Sequence, residues 1–147
     1  MAKSDFAFHH AFRVRYSEVD AQAIVFFGNY LTYFDSAHNE YMRTLSFDYL
    51  HFVEHHNKDI HTVKAVVEYH APARFDDELE VYVRTSYIGR SSMKVCFEVY
   101  LAGKEKLITT AQFVVVAADQ ESMKSVPWPE SLVQEIIERE VIPVERP

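Results

Sequence analysis

The segment RVRYSEVDAQAIVFFGNYLTYFDSAHNEYMR, from Arg13 to Arg43, concentrates the residues of this 147-residue chain that can do chemistry. Glu18 and Asp20 stand two apart, a spacing open to an acid–base pair. Asp20 by its type alone also suits a turn, and Glu18 reads as a structural or surface carboxylate. Eight histidines raise a metal hypothesis. His51 and His55, four apart, share a face on a helix, with His56 and His61 close by. No cysteine lies near them and no H-E-x-x-H pattern occurs, so no metal site is expected. His38 reads as a core or interface histidine at the edge of any active site. Cys96, mid-strand, reads as inert.

The elements that must position these groups follow from periodicity. Residues 10–16 alternate, with His10, Phe12, Val14 and Tyr16 on one side and Ala11, Arg13 and Arg15 on the other, which predicts a strand. Ser17 to Ala23 reads as a turn. Asn29 can cap a helix starting at Tyr30. Over 30–45 the helical period gathers Tyr30, Leu31, Phe34, Ala37, Tyr41, Met42 and Leu45 on one half, and Thr32, Asp35, Ser36, Asn39, Glu40 and Arg43 on the other. Four strands are predicted at 64–75, 79–88, 92–102 and 107–118. They are joined at Asp76-Asp77, Gly89-Arg90-Ser91 and Gly103-Lys104, turns short enough to make successive strands antiparallel neighbours. Segment 107–118 is apolar on both faces, which suits a central or interface strand. Trp128-Pro129-Glu130 starts a last helix with Pro in its first position, and Leu132, Val133, Ile136 and Ile137 form its apolar stripe. The order β, long helix, four strands, short helix is an α+β layer solution.

The same segment resembles the 4-hydroxybenzoyl-CoA thioesterase-like branch of the hotdog superfamily. Val14-Arg15-Tyr16, Glu18, Asp20-Ala21, Val25 and Asn29-Tyr30 match its opening motif. The likeness continues through Tyr69-His70-Ala71-Pro72-Ala73 and Val126-Pro127-Trp128-Pro129, and so covers nearly the whole chain in order. It implies a single hotdog domain over 1–147, a long central helix wrapped by a five-stranded antiparallel sheet.

It also implies an acyl-CoA thioesterase that releases free acid and CoA with no metal or organic cofactor. Asp20 corresponds to the catalytic carboxylate, acting as nucleophile or as general base toward water. The helix N-terminus near Phe27, Gly28 and Asn29 supplies N–H groups and positive dipole for the developing oxyanion, with the Phe27 N–H as the donor. Gly89-Arg90-Ser91-Ser92 with Lys94 resembles the CoA-contact region, where Arg suits phosphates. Tyr30 belongs to the substrate contacts, and Glu40 is the fallback carboxylate, since another hotdog branch carries its catalytic Glu on this helix. Two departures stand out. The family Gly after the Asp is Ala23, which implies a differently set loop. Phe27 stands where some relatives have His or Tyr, so only its backbone can assist. Active sites are expected at the interface of a homodimer or homotetramer, with CoA contacts from the partner. A hotdog hydratase or dehydratase and a non-catalytic acyl-thioester binding module are the alternatives, and an acyl carrier protein substrate stays open.

Composition is consistent with this. Lys plus Arg number 15 and Asp plus Glu 22, for a formal charge of −7. An acidic chain without a basic run is a poor nucleic-acid binder. One cysteine excludes an internal disulfide, and no apolar stretch approaches the roughly 18 residues that span a bilayer. The N-terminus lacks the apolar core of a signal peptide. A cytoplasmic protein is expected.

Overall fold

Alternation and helical period reappear in the computed structural model, which describes residues 1–147, as five strands and three helices. In chain order they are β1 (Phe8–Arg13), α1 (Asn29–Arg43), α2 (Tyr49–His56), β2 (Lys58–Tyr69), β3 (Glu78–Ile88), β4 (Ser92–Leu101), β5 (Leu107–Asp119) and α3 (Glu130–Arg139). The strands form one antiparallel sheet in the order β1-β3-β4-β5-β2. The long helix α1 packs against one face of it through Phe34, which meets Phe97 and Phe113, as the α+β reading expects.

That order corrects one expectation. The strand before Asp76-Asp77 does not pair with the strand after it. β2 pairs with β5, with Val67 opposite Ala111, while β3 sits between β1 and β4. The physical reason is burial. β5 is apolar on both faces and belongs inside a sheet, whereas β2 carries Lys64, Glu68 and a long exposed stretch that tolerate an edge. Segment 107–118 is therefore an interior strand, and the two edges of the sheet are β1 and β2. The crossover segment after Tyr69 returns beneath the start of α1, where the Ala73 carbonyl accepts the Val25 N–H at 2.8 Å. The predicted strand 64–75 accordingly lies earlier, at 58–69, and Phe75 is exposed.

Smaller differences have equally local causes. β1 ends at Arg13, and Tyr16 falls in a 3-10 turn, Tyr16–Glu18, with its ring in solvent. On α1, Tyr33 is buried and Leu31 exposed, because β1 covers the Tyr33 side through Phe12, 4.5 Å between ring centroids. Pro129 is the N-cap of α3 and not its first helical residue. Helix α2 carries too short a pattern to be predicted. Asp48 caps it by accepting the His51 N–H, and Asn57 ends it in the left-handed conformation. Its His51 and His55 rings do stack, at 4.6 Å, on an exposed face. No helix of the chain is long and apolar enough to cross a membrane.

What holds α1 is its buried stripe. Phe34, Ala37 and Tyr41 have no exposed surface, and the Phe34 ring meets those of Phe97 on β4 and Phe113 on β5 at 5.0 and 5.8 Å. The Tyr41 hydroxyl and the Thr85 Oγ1 are 2.8 Å apart. The strand irregularity beside Thr85 is closed from the end of α3, whose C-cap Glu140 accepts the Thr85 N–H at 2.5 Å through its buried carboxylate. Truncation of Phe34 to Ala is expected to cost about 3–5 kcal/mol of unfolding free energy, measured by denaturant melts, since the cavity opens between helix and sheet.

Candidate active site

Between β1 and α1 the chain makes one closed loop. Val19 bridges Val25, and within that bridge the Asp20 N–H donates to the Ile24 carbonyl at 2.9 Å. The Asp20 carboxylate accepts the Gln22 N–H through Oδ1 at 2.8 Å. Its Oδ2 accepts nothing from the chain. Asp20 is thus both the turn-former that its type suggests and a half-buried carboxylate with one oxygen available.

The loop closes because Ala23 takes a φ of 60°. This is the left-handed region, which a glycine enters freely and an alanine enters at a cost of about 1–2 kcal/mol. Ala23 therefore holds a left-handed backbone conformation at the position where the family pattern has glycine.

Glu18, expected to be structural, is the anchor of this loop. Its carboxylate accepts the Arg15 N–H at 2.7 Å and the Arg15 guanidinium at 3.0 Å. Its carbonyl accepts from the Phe26 N–H at 2.9 Å and from the Asn29 side-chain amide at 2.8 Å. Burial alone raises the Glu18 carboxyl, but the Arg15 contacts and the Tyr33 hydroxyl outweigh it and hold the group below the usual carboxylate range. Asn29 is consequently not the helix cap. Gly28 occupies that position, and Asn29 is the first helical residue, its side chain spent on Glu18.

At the helix start, the backbone N–H groups of Phe27 and Gly28 donate to no acceptor in the chain. They are the orphan donors of a helix N-terminus, aligned with its positive dipole. Neighbouring contacts fix their placement. The Phe27 carbonyl accepts the Tyr69 hydroxyl at 3.0 Å, and the Phe26 ring lies so close over Gly28 that a Cβ there would meet it at 2.9 Å. Phe26, Phe27 and Tyr69 leave an exposed aromatic rim around these donors. One loop therefore carries a carboxylate and two free N–H donors, the parts that acyl transfer requires.

Other expected site residues lie elsewhere. Tyr30 is a core residue, 3% exposed, packed on Tyr33, Phe34 and Tyr69. Arg90, Ser91, Ser92 and Lys94 form the β3–β4 hairpin, with Arg90 and Lys94 exposed and the Lys94 ammonium 5.4 Å from the Tyr87 ring centre. That hairpin follows Ile88, whereas the Asp20 loop follows Arg13, which pairs with Glu78 at the opposite end of β3. The two ends of this eleven-residue strand lie about 33 Å apart at roughly 3.3 Å per residue. One chain does not bring them together. Glu40 stands on the outer side of α1, paired with Arg43 at 2.5 Å.

Residues 14–136 match the family model of the thioesterase-like superfamily. The chain belongs to this superfamily. Its sequence is 28% identical over 128 residues to the acyl-CoA thioesterase YbgC of Haemophilus influenzae, covering 87% of this chain and 93% of that protein. It is 29% identical over 123 residues to the acyl-CoA thioester hydrolase YbgC of Escherichia coli, covering 84% and 90%. Among solved structures, a Thermus thermophilus thioesterase complexed with coenzyme A and Zn shares 26% identity and a TM-score of 0.79 over 95% of this chain and 98% of that one. A 1,4-dihydroxy-2-naphthoyl-CoA thioesterase from Synechocystis superposes with a TM-score of 0.82 at 19% identity, over 88% and 94%. The hotdog fold is thereby established for this chain, with the sheet and central helix the opening motif implies.

Two residues test this account of the loop. Ala23→Gly is expected to raise stability by about 0.5–1 kcal/mol, the left-handed cost removed less the entropy of glycine; calorimetry measures it. Glu18→Ala is expected to lose about 1–3 kcal/mol at pH 7. Because the folded carboxyl lies below its ordinary 4.5, its contribution is complete above 4.5 and lost as pH falls through the folded value. The stability gap between variant and wild type should narrow over that acidic window.

Proposed function

We propose that the protein hydrolyses acyl-CoA thioesters to free acid and CoA, with Asp20 as the catalytic carboxylate. The observation that carries this reading is the single loop holding the free Asp20 oxygen and the unpaired N–H groups of Phe27 and Gly28. The YbgC relatives are named for this activity, and they match along most of their length. Either Asp20 attacks the thioester carbon, expelling CoA thiolate and leaving an anhydride for water to open, or it takes a proton from a water that attacks. In both routes negative charge grows on the carbonyl oxygen, and the Phe27 and Gly28 N–H groups together with the α1 dipole stabilise it.

The unit of activity in this reading is a dimer paired along β2. This edge strand is exposed from Thr62 to Val66, with Val63 62% and Val66 46% accessible. Its free backbone invites a second copy. Antiparallel pairing of β2 with itself exchanges its ends. The Arg90 hairpin neighbours the early half of β2 through β5, since Ser92 pairs with Val116 and Val116 with His61. In the proposed dimer the hairpin carrying Arg90, Ser91 and Ser92 of one copy comes to the Tyr69 end of the other, where a basic side chain suits the CoA phosphates. No metal or organic cofactor has a role in this scheme, and a cytoplasmic location fits its substrate.

Free-thiol release from acetyl-, butyryl-, decanoyl- and benzoyl-CoA checks the reaction. Wild type is expected to turn over at least one of them, and Asp20→Asn to lose roughly 100-fold or more in kcat while keeping its melting temperature. Equal rates in the two proteins would remove Asp20 from the mechanism.

A further inference from the structure

The segment after α3 makes a contact that no role assigned so far explains. β1 pairs with β3 only as far as Val83, opposite Phe8, so Arg84 to Ile88 have no β1 partner. The C-terminal segment fills that gap. Glu140 closes the Thr85 irregularity, Val144 packs against the core, and Glu145 runs parallel beside Tyr87. The Glu145 N–H donates to the Ser86 carbonyl at 2.9 Å, and its carbonyl accepts the Ile88 N–H at 3.0 Å. The family match ends at residue 136, so this strap lies outside the shared pattern.

In a parallel ladder every second residue bonds to the neighbouring strand, so the next donor would be the N–H of residue 147, aimed at the Ile88 carbonyl. Residue 147 is proline and has no N–H. The Arg146 side chain takes its place. Its Nε donates to the Ile88 carbonyl at 3.0 Å. That bond holds the guanidinium at the end of β3, where the chain turns through Gly89 into Arg90. The two Nη atoms reach no acceptor in the chain, and no carboxylate forms an ion pair with Arg146, Arg90 or Lys94.

We infer that Arg146 is a second phosphate-binding cation at the Arg90 hairpin, and that the two guanidiniums together hold the phosphates of the CoA thioester. The inference rests on the hydrolase and dimer reading above, in which the hairpin of one copy serves the substrate cleaved in the other. Phosphate is the ligand class because a guanidinium offers paired N–H donors that match phosphate oxygens, and the Nη edge is the one left open here. Anchoring adds to the effect of charge. A free arginine side chain carries about 2 kcal/mol of rotamer entropy, and the Ile88 contact removes part of that freedom before substrate arrives. A chain of net charge −7 attracts a polyanion only where cations gather, and Arg146 beside Arg90 is such a place.

The test compares the best acyl-CoA substrate with the same acyl group on N-acetylcysteamine, which keeps the scissile bond and lacks every phosphate. Arg146→Gln is expected to raise KM for the acyl-CoA about tenfold, the effect of one lost charged hydrogen bond. Its kcat, and its kcat/KM for the N-acetylcysteamine thioester, should stay at the wild-type values. Equal losses on both thioesters, or an unchanged KM for the acyl-CoA, would overturn the inference. The double variant Arg146→Gln, Pro147→Ala separates phosphate binding from anchoring. It gives residue 147 an N–H for the Ile88 carbonyl, so the segment is held without the guanidinium, and the raised KM should persist. Recovery of the wild-type KM in the double variant would show that Arg146 only ties down the segment, and the inference would fall. Wild type inactive on every CoA thioester would sink the hydrolase reading, and calorimetry with CoA itself would then decide this one. Binding about tenfold weaker in Arg146→Gln supports it; equal binding, or none by wild type, overturns it.

Discussion

The site depends on how one buried residue shares its polar atoms. Glu18 spends its carboxylate on Arg15 and its carbonyl on Phe26 and Asn29. Those four bonds tie the end of β1, the Asp20 turn and the start of α1 into one rigid piece. A charge brought into a half-dry place must be hydrogen-bonded to stay there, and here the bonding partners are the loop itself. The arrangement leaves the next donors along the chain, Phe27 and Gly28, without acceptors. The same accounting that stabilises the loop thus leaves these two N–H groups free.

Around that clamp, the sheet acts as a ruler. Its central strands bury α1 through Phe34, Ala37 and Tyr41, so the N-terminus of the helix cannot shift without opening the core. Tyr69 carries the position of the β2 edge to the Phe27 carbonyl. Ala23 holds a left-handed conformation within this frame, and strain of that kind persists only where surrounding structure over-determines the backbone.

Charge distribution is consistent with a small-molecule site in an acidic protein. The net charge of −7 bears on solubility and on macromolecular partners. The exposed Arg90 lies at the far end of β3 from the Asp20 loop in the same chain, which is why the proposed function turns on the β2 edge.

Local pattern determined a good deal. Strands β3, β4 and β5 and the span of α1 were legible in alternation and helical period, because both report which faces are buried. The Val14 to Tyr30 motif identified the Asp20 loop and the family. Tertiary structure decided what depends on neighbours distant in sequence. Pairing of β2 with β5 in place of β3 follows from which strand tolerates solvent on its edge, a property of the whole sheet that a short Asp76-Asp77 turn does not encode. Burial of Glu18 depends on what packs over it, so its spacing from Asp20 alone left a surface role open. Helix α2 rests on the Asp48 cap and Phe52 packing, with too few periods to announce itself. A cavity beside His38 had no sequence signal, since Met42 and Leu45, which line it, read simply as the apolar half of the helix. Periodicity is a one-dimensional record of burial; pairing order and empty volume exist only in three.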